Sequence, residues 1–177
     1  MIMTHCLVWF NGPSALNLHT TLPPQSNEIG CNYIRQHRPV NRVVVFDRSL
    51  RPSIAIESGV EYYGCNGQKE LPTWQEVHYT TLDQPHNSGL LAVRLAMNLK
   101  FSTIYILGCD WGDSNHSIFD AQYKKTQLIN KMTNSSKQLL ERWGRQHSIV
   151  LVGNNPAGIR IHNITTNHLI DTLTTAK

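Results

Sequence analysis

Residues 88–110 constrain the fold more than any other segment, because a helix pattern and a strand pattern follow one another there almost without a break. In "SGLLAVRLAMNLK" the apolar residues recur at intervals of three and four, which is the spacing of one helix face. "TIYILGCD" follows as a short apolar run that is typical of a strand buried on both faces. A helix that leads into a buried strand is the unit from which parallel, helix-covered sheets are built.

A similar unit lies near the end of the chain. A helix is predicted within residues 121–145, the strand "SIVLVGN" follows it, and a final short helix is predicted around residues 167–173. The length of 177 residues suits one compact domain with a substantial core. We therefore predict an α/β fold over residues 1–177, a single Rossmann-like domain with a mainly parallel central sheet covered by helices.

The first half of the chain carries the remaining strand signals. "CLVWF" at residues 6–10 and "RVVVFD" at residues 42–47 are apolar runs that end at polar turns, as buried strands do. "EIGCNYI" is a strand candidate between them, and "VEYYGC" and "EVHYTTL" are weaker candidates further along. The unbroken apolar run before residue 11 predicts that the first strand lies in the interior of the sheet.

Composition excludes several classes of protein. Hydrophobic residues make up 40% of the chain and charged residues 16%, which is typical of a globular protein rather than a disordered one. No apolar run approaches the ~20 residues of a membrane helix and the opening lacks a basic leader, so a cytoplasmic location is expected. The four cysteines lie far apart in sequence, which indicates reduced, buried thiols.

The balance of charge favours a small anionic ligand. The net charge is +4 and the sequence pI is about 9.0, values compatible with either an anionic ligand or nucleic acid. No basic cluster exceeds the pair Lys124 and Lys125, so a nucleic-acid partner is disfavoured. The sequence leaves open whether the chain forms a homo-oligomer.

Polar turns follow the predicted strands or open the predicted helix at four places. In parallel α/β sheets, ligands bind beyond the carboxyl ends of the strands, where such turns lie. We therefore expect the four turns to converge on one site. Their candidate binding residues are Asn11, Gly12, Pro13 and Ser14; Asp47; Asn87, Ser88 and Gly89; and Asp110.

The N-G-P-S turn combines residue types that suit a phosphate or a ribose. Gly12 lets the backbone approach a ligand, Pro13 stiffens the turn, and the side chains of Asn11 and Ser14 can form hydrogen bonds. The same four residues are common in turns that bind nothing. The pattern alone therefore leaves a plain strand-to-loop turn as an alternative.

The other polar turns supply candidates for anion binding, metal binding and proton transfer. Ser88 stands where a helix N-cap is expected, and the free N–H groups of that first turn can bind an anion. Asp47 and Asp110 each end a strand and are candidates for a ribose or a divalent cation such as Mg²⁺, or for capping a turn. His116 lies in a polar loop, and a loop histidine beside a phosphate site is a candidate general acid or base.

Several segments together resemble one known group of proteins. They are the N-G-P-S turn, "IGCNYI", "VVVFDR", "NSGLLAVRLAMNLKFSTIYILGCDWG" and "NPAGIRIHNI", in this order along the chain. The chain resembles the Rossmann-like group that contains bacterial sialyltransferases using CMP-sialic acid. The same group contains the related DUF115, or MptE-like, proteins, which include a pterin pyrophosphokinase; short members occur in bacteria and their phages.

The resemblance implies roles for specific residues. The N-G-P-S turn would cradle the nucleotide phosphates, Asn32 and Asp47 would lie near the sugar or a metal, and Ser88 and Gly89, preceded by Asn87, would meet the nucleotide. In the sialyltransferases a histidine of a His-Ser pair is the general base, and His116 is the nearest match. Two features depart from the group: the lid before the His-Ser pair is missing, and Phe10 replaces the glycine usual before N-G-P-S.

These observations predict a nucleotide-dependent transferase with a small-molecule nucleotide or nucleotide-sugar as co-substrate. His116 or an aspartate such as Asp110 would activate the acceptor. Glycosyl transfer from a CMP-sugar and pyrophosphoryl transfer from ATP both stay open, and the second is expected to need Mg²⁺. The missing lid keeps a third hypothesis, a non-catalytic module that binds or sequesters a nucleotide.

Overall fold

Eight parallel strands form the centre of the protein in a computed structural model that describes residues 4–65, 73–110 and 134–175. The strands are β1 (His5–Trp9), β2 (Glu28–Cys31), β3 (Arg42–Val44), β4 (Glu61–Cys65), β5 (Trp74–Val77), β6 (Thr103–Leu107), β7 (Ile149–Val152) and β8 (His162–Ile164). The described helices are α1 (Ala15–Thr21), α2 (Ser88–Asn98), α3 (Asn134–Gln146) and α4 (Thr166–Thr175). The predicted α/β class with a mainly parallel sheet is confirmed.

The order of the strands places β1 in the middle of the sheet. The order is β5-β4-β3-β2-β1-β6-β7-β8, so the chain starts at the centre, moves to one edge, and returns to continue on the other side. The predicted interior position of the first strand is confirmed. The order reverses between β1 and β6, and such a switch point is where ligands bind in open α/β sheets.

The two faces of the sheet have separate cores. On one face Cys6 and Val8 of β1 pack in the same cluster as α2 and α3, while Leu7 and Trp9 face the cluster that includes α1 and α4. This alternation follows from the two-residue period of a strand. Nine of the eleven residues of α2 are buried, which explains why its sequence is apolar on more than one side.

Three predicted elements have different boundaries in the structure. β2 ends at Cys31 because Asn32 adopts a left-handed backbone conformation with φ of 54°, which stops the strand. β5 covers Trp74–Val77, ahead of most of the "EVHYTTL" candidate, whose end forms a short 3₁₀ helix, Thr81–Asp83. The predicted helix within residues 121–145 corresponds to α3, and residues 121–133 lie outside the described residues.

Two elements carry no clear sequence signal. Helix α1 has only seven residues; its buried Ala15, Leu18 and His19 have helical spacing, but a polar histidine among them and the exposed Leu16 hide the apolar pattern. Strand β8 is an edge strand with the largely exposed sequence His162-Asn163-Ile164, and it forms by pairing with β7. The amide of Asn163 also donates to the carbonyls of Leu151 and Gly153, both at 2.9 Å. Tertiary pairing rather than local pattern therefore creates β8.

A buried ion pair lies on the α1 side of the sheet, and we call Arg38, Glu28 and Trp9 the Arg38 cluster. The Arg38 guanidinium donates to both carboxylate oxygens of Glu28, at 2.6 and 2.7 Å, and to the carbonyls of residues 19, 22 and 23. The indole Nε1 of Trp9 donates to Glu28 at 2.7 Å, and the guanidinium lies over its ring. Arg38 and Glu28 are each 1% exposed.

The expected state of the cysteines is confirmed. Cys6, Cys31, Cys65 and Cys109 are all buried and form no disulfide. Burial raises the pKa of the Cys6 thiol to about 12, which keeps it protonated and unreactive at neutral pH. None of the described helices is both long and apolar enough to cross a membrane.

Candidate functional site

The turns after β1 and β6 lie side by side at the switch point of the sheet. The Phe10 N–H donates to the Leu107 carbonyl at 2.8 Å, and the Gly12 N–H donates to the Gly108 carbonyl at 2.9 Å. Gly108 has a φ of 71°, a conformation that favours glycine. The N-G-P-S turn is therefore at the carboxyl edge of the sheet, where the sequence predicts it.

Asp110 holds the N-G-P-S turn in place. One carboxylate oxygen accepts from the Ser14 N–H at 2.7 Å, and the other accepts from the Ser14 hydroxyl. A Cβ atom added to Gly12 would lie 2.3 Å from the Gly108 carbonyl oxygen and 2.5 Å from the Asp110 carboxylate. The glycine therefore makes room for the protein's own carboxylate and carbonyl groups, a reason that the sequence did not indicate.

Asn11 contributes an unsatisfied polar atom to this turn. Its side-chain Oδ1 is buried and accepts no hydrogen bond from any described residue. Buried polar atoms are nearly always satisfied, so the partner of this oxygen is expected among water, a ligand or residues outside the described ranges.

Helix α2 begins one residue earlier than the sequence predicts. Asn87 is the N-cap: its backbone is extended, and its side-chain oxygen accepts from the Leu90 N–H at 2.9 Å. The expectation that Ser88 is the cap is wrong, because Ser88 already has helical geometry and its hydroxyl is used elsewhere. No described residue accepts from the N–H groups of Ser88 and Gly89, which lie at the positive end of the helix dipole.

The Ser88 hydroxyl connects α2 to the ends of β2 and β3. It donates to the side-chain oxygen of Asn32 at 2.9 Å and accepts from the Phe46 N–H at 2.9 Å. The Asn32 N–H in turn donates to the Val44 carbonyl at 3.0 Å. Asn32 and Ser88, 56 residues apart in sequence, are therefore brought together as the resemblance implies, and both are buried.

Phe10 links the N-G-P-S turn to the start of α2. Its side chain is buried, and a Cβ atom added to Gly89 would lie 2.5 Å from the ring carbon Cε2. Phe10 belongs to the core cluster that contains α2. The departure from the usual glycine therefore places an aromatic ring in the core, and Gly89 is the residue that leaves space for it.

Asp47 and Asp110 both accept hydrogen bonds from backbone N–H groups of their own turns or of a neighbouring turn. Asp47 caps the 3₁₀ helix Arg48–Ser53, and its Oδ1 accepts from the Ser49 N–H at 2.8 Å. Asp110 binds Ser14 as described above. Across the described ranges, no three side chains of His, Cys, Asp or Glu are grouped as metal ligands. Asp47 therefore caps a turn, and its contact with a ribose or a cation stays a prediction.

The predicted acid–base residue is His116. His116 lies outside the described residues, as do the other residues from 111 to 133. Its role stays a prediction from the resemblance.

A polar cleft that the sequence did not predict lies beside the start of α2. Its volume is about 220 Å³, and it is lined by four residues that precede α2 and by four residues of α3: Thr81, Leu82, Gln84, His86, Ser135, Gln138, Leu139 and Arg142. Asp83 fixes one wall, because it accepts from Arg142 at 2.7 Å and from the Trp143 indole at 3.2 Å. The lining comes from two distant segments, so no local pattern could indicate it.

Comparison with solved structures identifies the fold. One similar structure is a variant of the sialyltransferase CST-II in complex with CMP, with a TM-score of 0.55, 16% identity, and coverage of 85% of this chain and 80% of that chain. A second is CST-II in complex with a trisaccharide acceptor and CMP, with a TM-score of 0.54, 16% identity, and coverage of 83% and 80%. No family model and no curated protein matches the chain. The chain therefore has a sialyltransferase-like, Rossmann-like fold.

Proposed function

We propose that the protein is a nucleotide-dependent glycosyltransferase that takes its donor sugar from a CMP-sugar. The observation that carries the proposal is the start of α2, where the N–H groups of Ser88 and Gly89 have no acceptor among the described residues. Their position beside Asn32, at the carboxyl edge of the sheet, is where ligands bind in this class of fold. The shared fold with CST-II, whose structures contain CMP, supports the choice of nucleotide.

The nucleotide phosphate would bind at the start of α2. Two N–H groups and the positive end of the helix dipole favour an anion there. Asn87 would keep these groups oriented, since its side chain already caps the third N–H of the turn. Asn32 would contact the nucleoside, and the N-G-P-S turn with the unsatisfied Asn11 oxygen would line the other side of the site.

The chemistry would be a displacement at the anomeric carbon of the donor sugar. An acceptor oxygen forms the new bond, the bond from the anomeric carbon to the phosphate oxygen breaks, and its electron pair leaves with CMP. The backbone N–H groups of α2 would stabilise the charge that develops on the phosphate. His116 would take the proton of the acceptor hydroxyl as general base. Asp110 would support this indirectly by holding the N-G-P-S turn.

Pyrophosphoryl transfer from ATP, as in the MptE-like proteins, is the competing chemistry. It would be expected to require Mg²⁺ to bridge phosphate oxygens. Among the described residues no three side chains of His, Cys, Asp or Glu are grouped so that they could hold a metal ion, and the need for Mg²⁺ is decided by the experiment below. A non-catalytic nucleotide-binding module is the other alternative.

A thermal-shift panel tests the proposal, because a ligand that binds only the folded state raises the melting temperature. The panel contains CMP, CDP, UDP, ATP and GTP, each with and without Mg²⁺. We expect CMP to give the largest shift and EDTA to leave that shift unchanged. A shift with ATP alone, and only with Mg²⁺, would favour pyrophosphoryl transfer, while no shift with any nucleotide would contradict nucleotide binding.

The second stage measures turnover. CMP-sugars are incubated with the protein, and release of CMP and formation of a glycoside are followed by chromatography. We expect release of CMP that depends on an added acceptor. Binding of CMP without turnover of any CMP-sugar would favour the non-catalytic module.

A further inference from the structure

We propose that the Ser88 side chain does not bind the phosphate itself but acts as a positioning group that orients the amide of Asn32 toward the nucleoside. The inference rests on the proposed function, since it concerns the same nucleotide site. It assigns different roles to the backbone N–H and the side-chain hydroxyl of Ser88. The backbone N–H binds the phosphate, while the hydroxyl sets the conformation of a second binding residue.

The hydrogen-bond capacity of a hydroxyl group supports this division. A serine hydroxyl has one proton to donate, and in this structure the proton is donated to the Asn32 oxygen. A phosphate oxygen of a nucleotide at neutral pH is an acceptor, so contact with Ser88 would require this donation to be given up. The Phe46 N–H holds the hydroxyl oxygen from a second direction, which further fixes its rotamer.

Asn32 is a residue whose orientation needs support. Its φ of 54° lies in the left-handed region, where asparagine is tolerated but not favoured. Once its side-chain oxygen accepts from Ser88, the amide nitrogen must point the other way from the same planar group. The hydrogen bond therefore fixes the side-chain oxygen of Asn32 toward the Ser88 hydroxyl and the amide nitrogen away from it.

Two hypotheses for Ser88 make different predictions about ligands. If its hydroxyl contacted the phosphate, Ser88→Ala would weaken CMP binding and leave cytidine, which has no phosphate, unaffected. If it acts through Asn32, Ser88→Ala weakens CMP and cytidine by the same factor. The loss of one hydrogen bond corresponds to about 3- to 10-fold in affinity.

A double-mutant cycle with Asn32 gives the decisive measurement. Affinities of CMP and cytidine are measured by calorimetry for wild type, Ser88→Ala, Asn32→Ala and the double variant. We expect Ser88→Ala to have no further effect once Asn32 is alanine, because its contribution passes through that residue. Additive losses, or a loss confined to CMP, would overturn the inference.

A matched control and a second variant keep the test independent of folding. Ser102→Ala removes a hydroxyl that donates to the Thr4 carbonyl at the opposite edge of the sheet, and we expect it to leave both affinities unchanged. If Ser88→Ala unfolds, Ser88→Cys replaces the hydroxyl by a weaker donor of similar shape and is taken through the same cycle. Equal losses for CMP and cytidine with this variant support the inference, and a loss for CMP alone overturns it.

The outcome for wild type separates the two proposals. If wild type binds neither CMP nor cytidine, the proposed function is wrong and the positioning role falls with it. If wild type binds both ligands and Ser88→Ala affects CMP alone, the proposed function stands and only the positioning role is overturned.

Discussion

Two buried polar regions of the molecule use their hydrogen bonds in opposite ways. In the Arg38 cluster the guanidinium has protein acceptors on all three of its nitrogens, and the Glu28 carboxylate accepts from several donors. At the start of α2 the cap and the Ser88 hydroxyl are bonded within the protein, but two backbone N–H groups are left without a described acceptor. The first region is satisfied by described residues alone, whereas the second has two N–H groups available to an acceptor from outside them.

The contrast separates groups that stabilise the fold from groups that are available for function. A buried ion pair contributes little net stability, yet removing one partner leaves an uncompensated charge and costs much more. Unsatisfied N–H groups at a helix start cost less when water reaches them, and they retain the capacity to bind an anion. Substitutions in the two regions should therefore change different quantities.

The largest effect on stability is expected from the Arg38 cluster. Glu28→Gln keeps the shape of the side chain but leaves the Arg38 charge unpaired, so the free energy of unfolding should fall by about 3–5 kcal/mol. Urea denaturation measures this change. The control is Glu57→Gln, which removes the exposed partner of Arg35 and should cost about 0–1 kcal/mol. Equal losses of unfolding free energy for the two variants would contradict the proposal that burial of the ion pair sets the cost of removing its carboxylate.

The largest effect on activity is expected from His116. His116→Ala should reduce turnover of the CMP-sugar by about 10² to 10⁴ while leaving CMP affinity and stability nearly intact. Turnover is measured from pH 5 to 9, with His162→Ala on the exposed edge strand β8 as the control. Activity of His116→Ala that keeps the wild-type pH profile would clear this histidine of the role and redirect attention to Asp110 or Asp47.

An intermediate effect is expected from acid, through His19 beside the Arg38 cluster. Burial, followed by the charges of His37 and Arg38, lowers the pKa of His19 to about 4, below its ordinary value of 6.5. Between these values the unfolded chain binds a proton that the folded protein does not, so stability should fall as pH decreases from 6.5 toward 4. The maximum loss from this group is about 3 kcal/mol.

Urea denaturation at several pH values tests the role of His19. His19→Phe should reduce the acid sensitivity in this range, because the group that titrates is removed. His168→Gln, an exposed position on α4, should leave it unchanged. If the pH dependence of His19→Phe equals that of wild type, another group is responsible.

The smallest effect is expected at the cap of α2. Asn87→Ala should lower the free energy of unfolding by about 1 kcal/mol, and it should also weaken CMP binding because the N–H groups of Ser88 and Gly89 lose their fixed orientation. Thr165→Ala removes the corresponding cap of α4, where the hydroxyl accepts from the His168 N–H at 3.2 Å. This control should show the cost in stability alone, and loss of CMP affinity there would contradict a local effect.

The parts of the fold that could be predicted are those in which burial decides the residue types. Strands β1 and β6 and helix α2 are buried on more than one side, so their sequences show long apolar patterns. Strand β8 and helix α1 are short and bury few apolar residues, so neither shows a clear apolar pattern. The sequence does not locate the cap of α2, because Asn87 and Ser88 are both favoured cap residues and only the backbone conformation distinguishes them.

The site could be predicted as a set of turns but not as a set of contacts. The carboxyl edge follows from the parallel sheet, and the N-G-P-S turn lies there. The bond between Ser88 and Asn32 depends on the strand order, which brings together residues 56 positions apart. The Asp110 carboxylate likewise lies where a side chain at residue 12 would be, and this contact depends on the pairing of β1 with β6, which no motif describes.

The central position of β1 has a consequence for how the protein folds. Its pairing with β6 joins His5 to Thr103 and Trp9 to Leu107, and the Ser102 hydroxyl bonds to Thr4, 98 residues earlier. Pairs so distant in sequence carry a high entropy of loop closure, so this contact is expected to form late and to slow folding. During synthesis one edge of β1 stays unpaired until β6 has been made, and an unpaired strand edge favours aggregation. The candidate binding site lies at the carboxyl end of the β1–β6 pair, where the two halves of the sheet join.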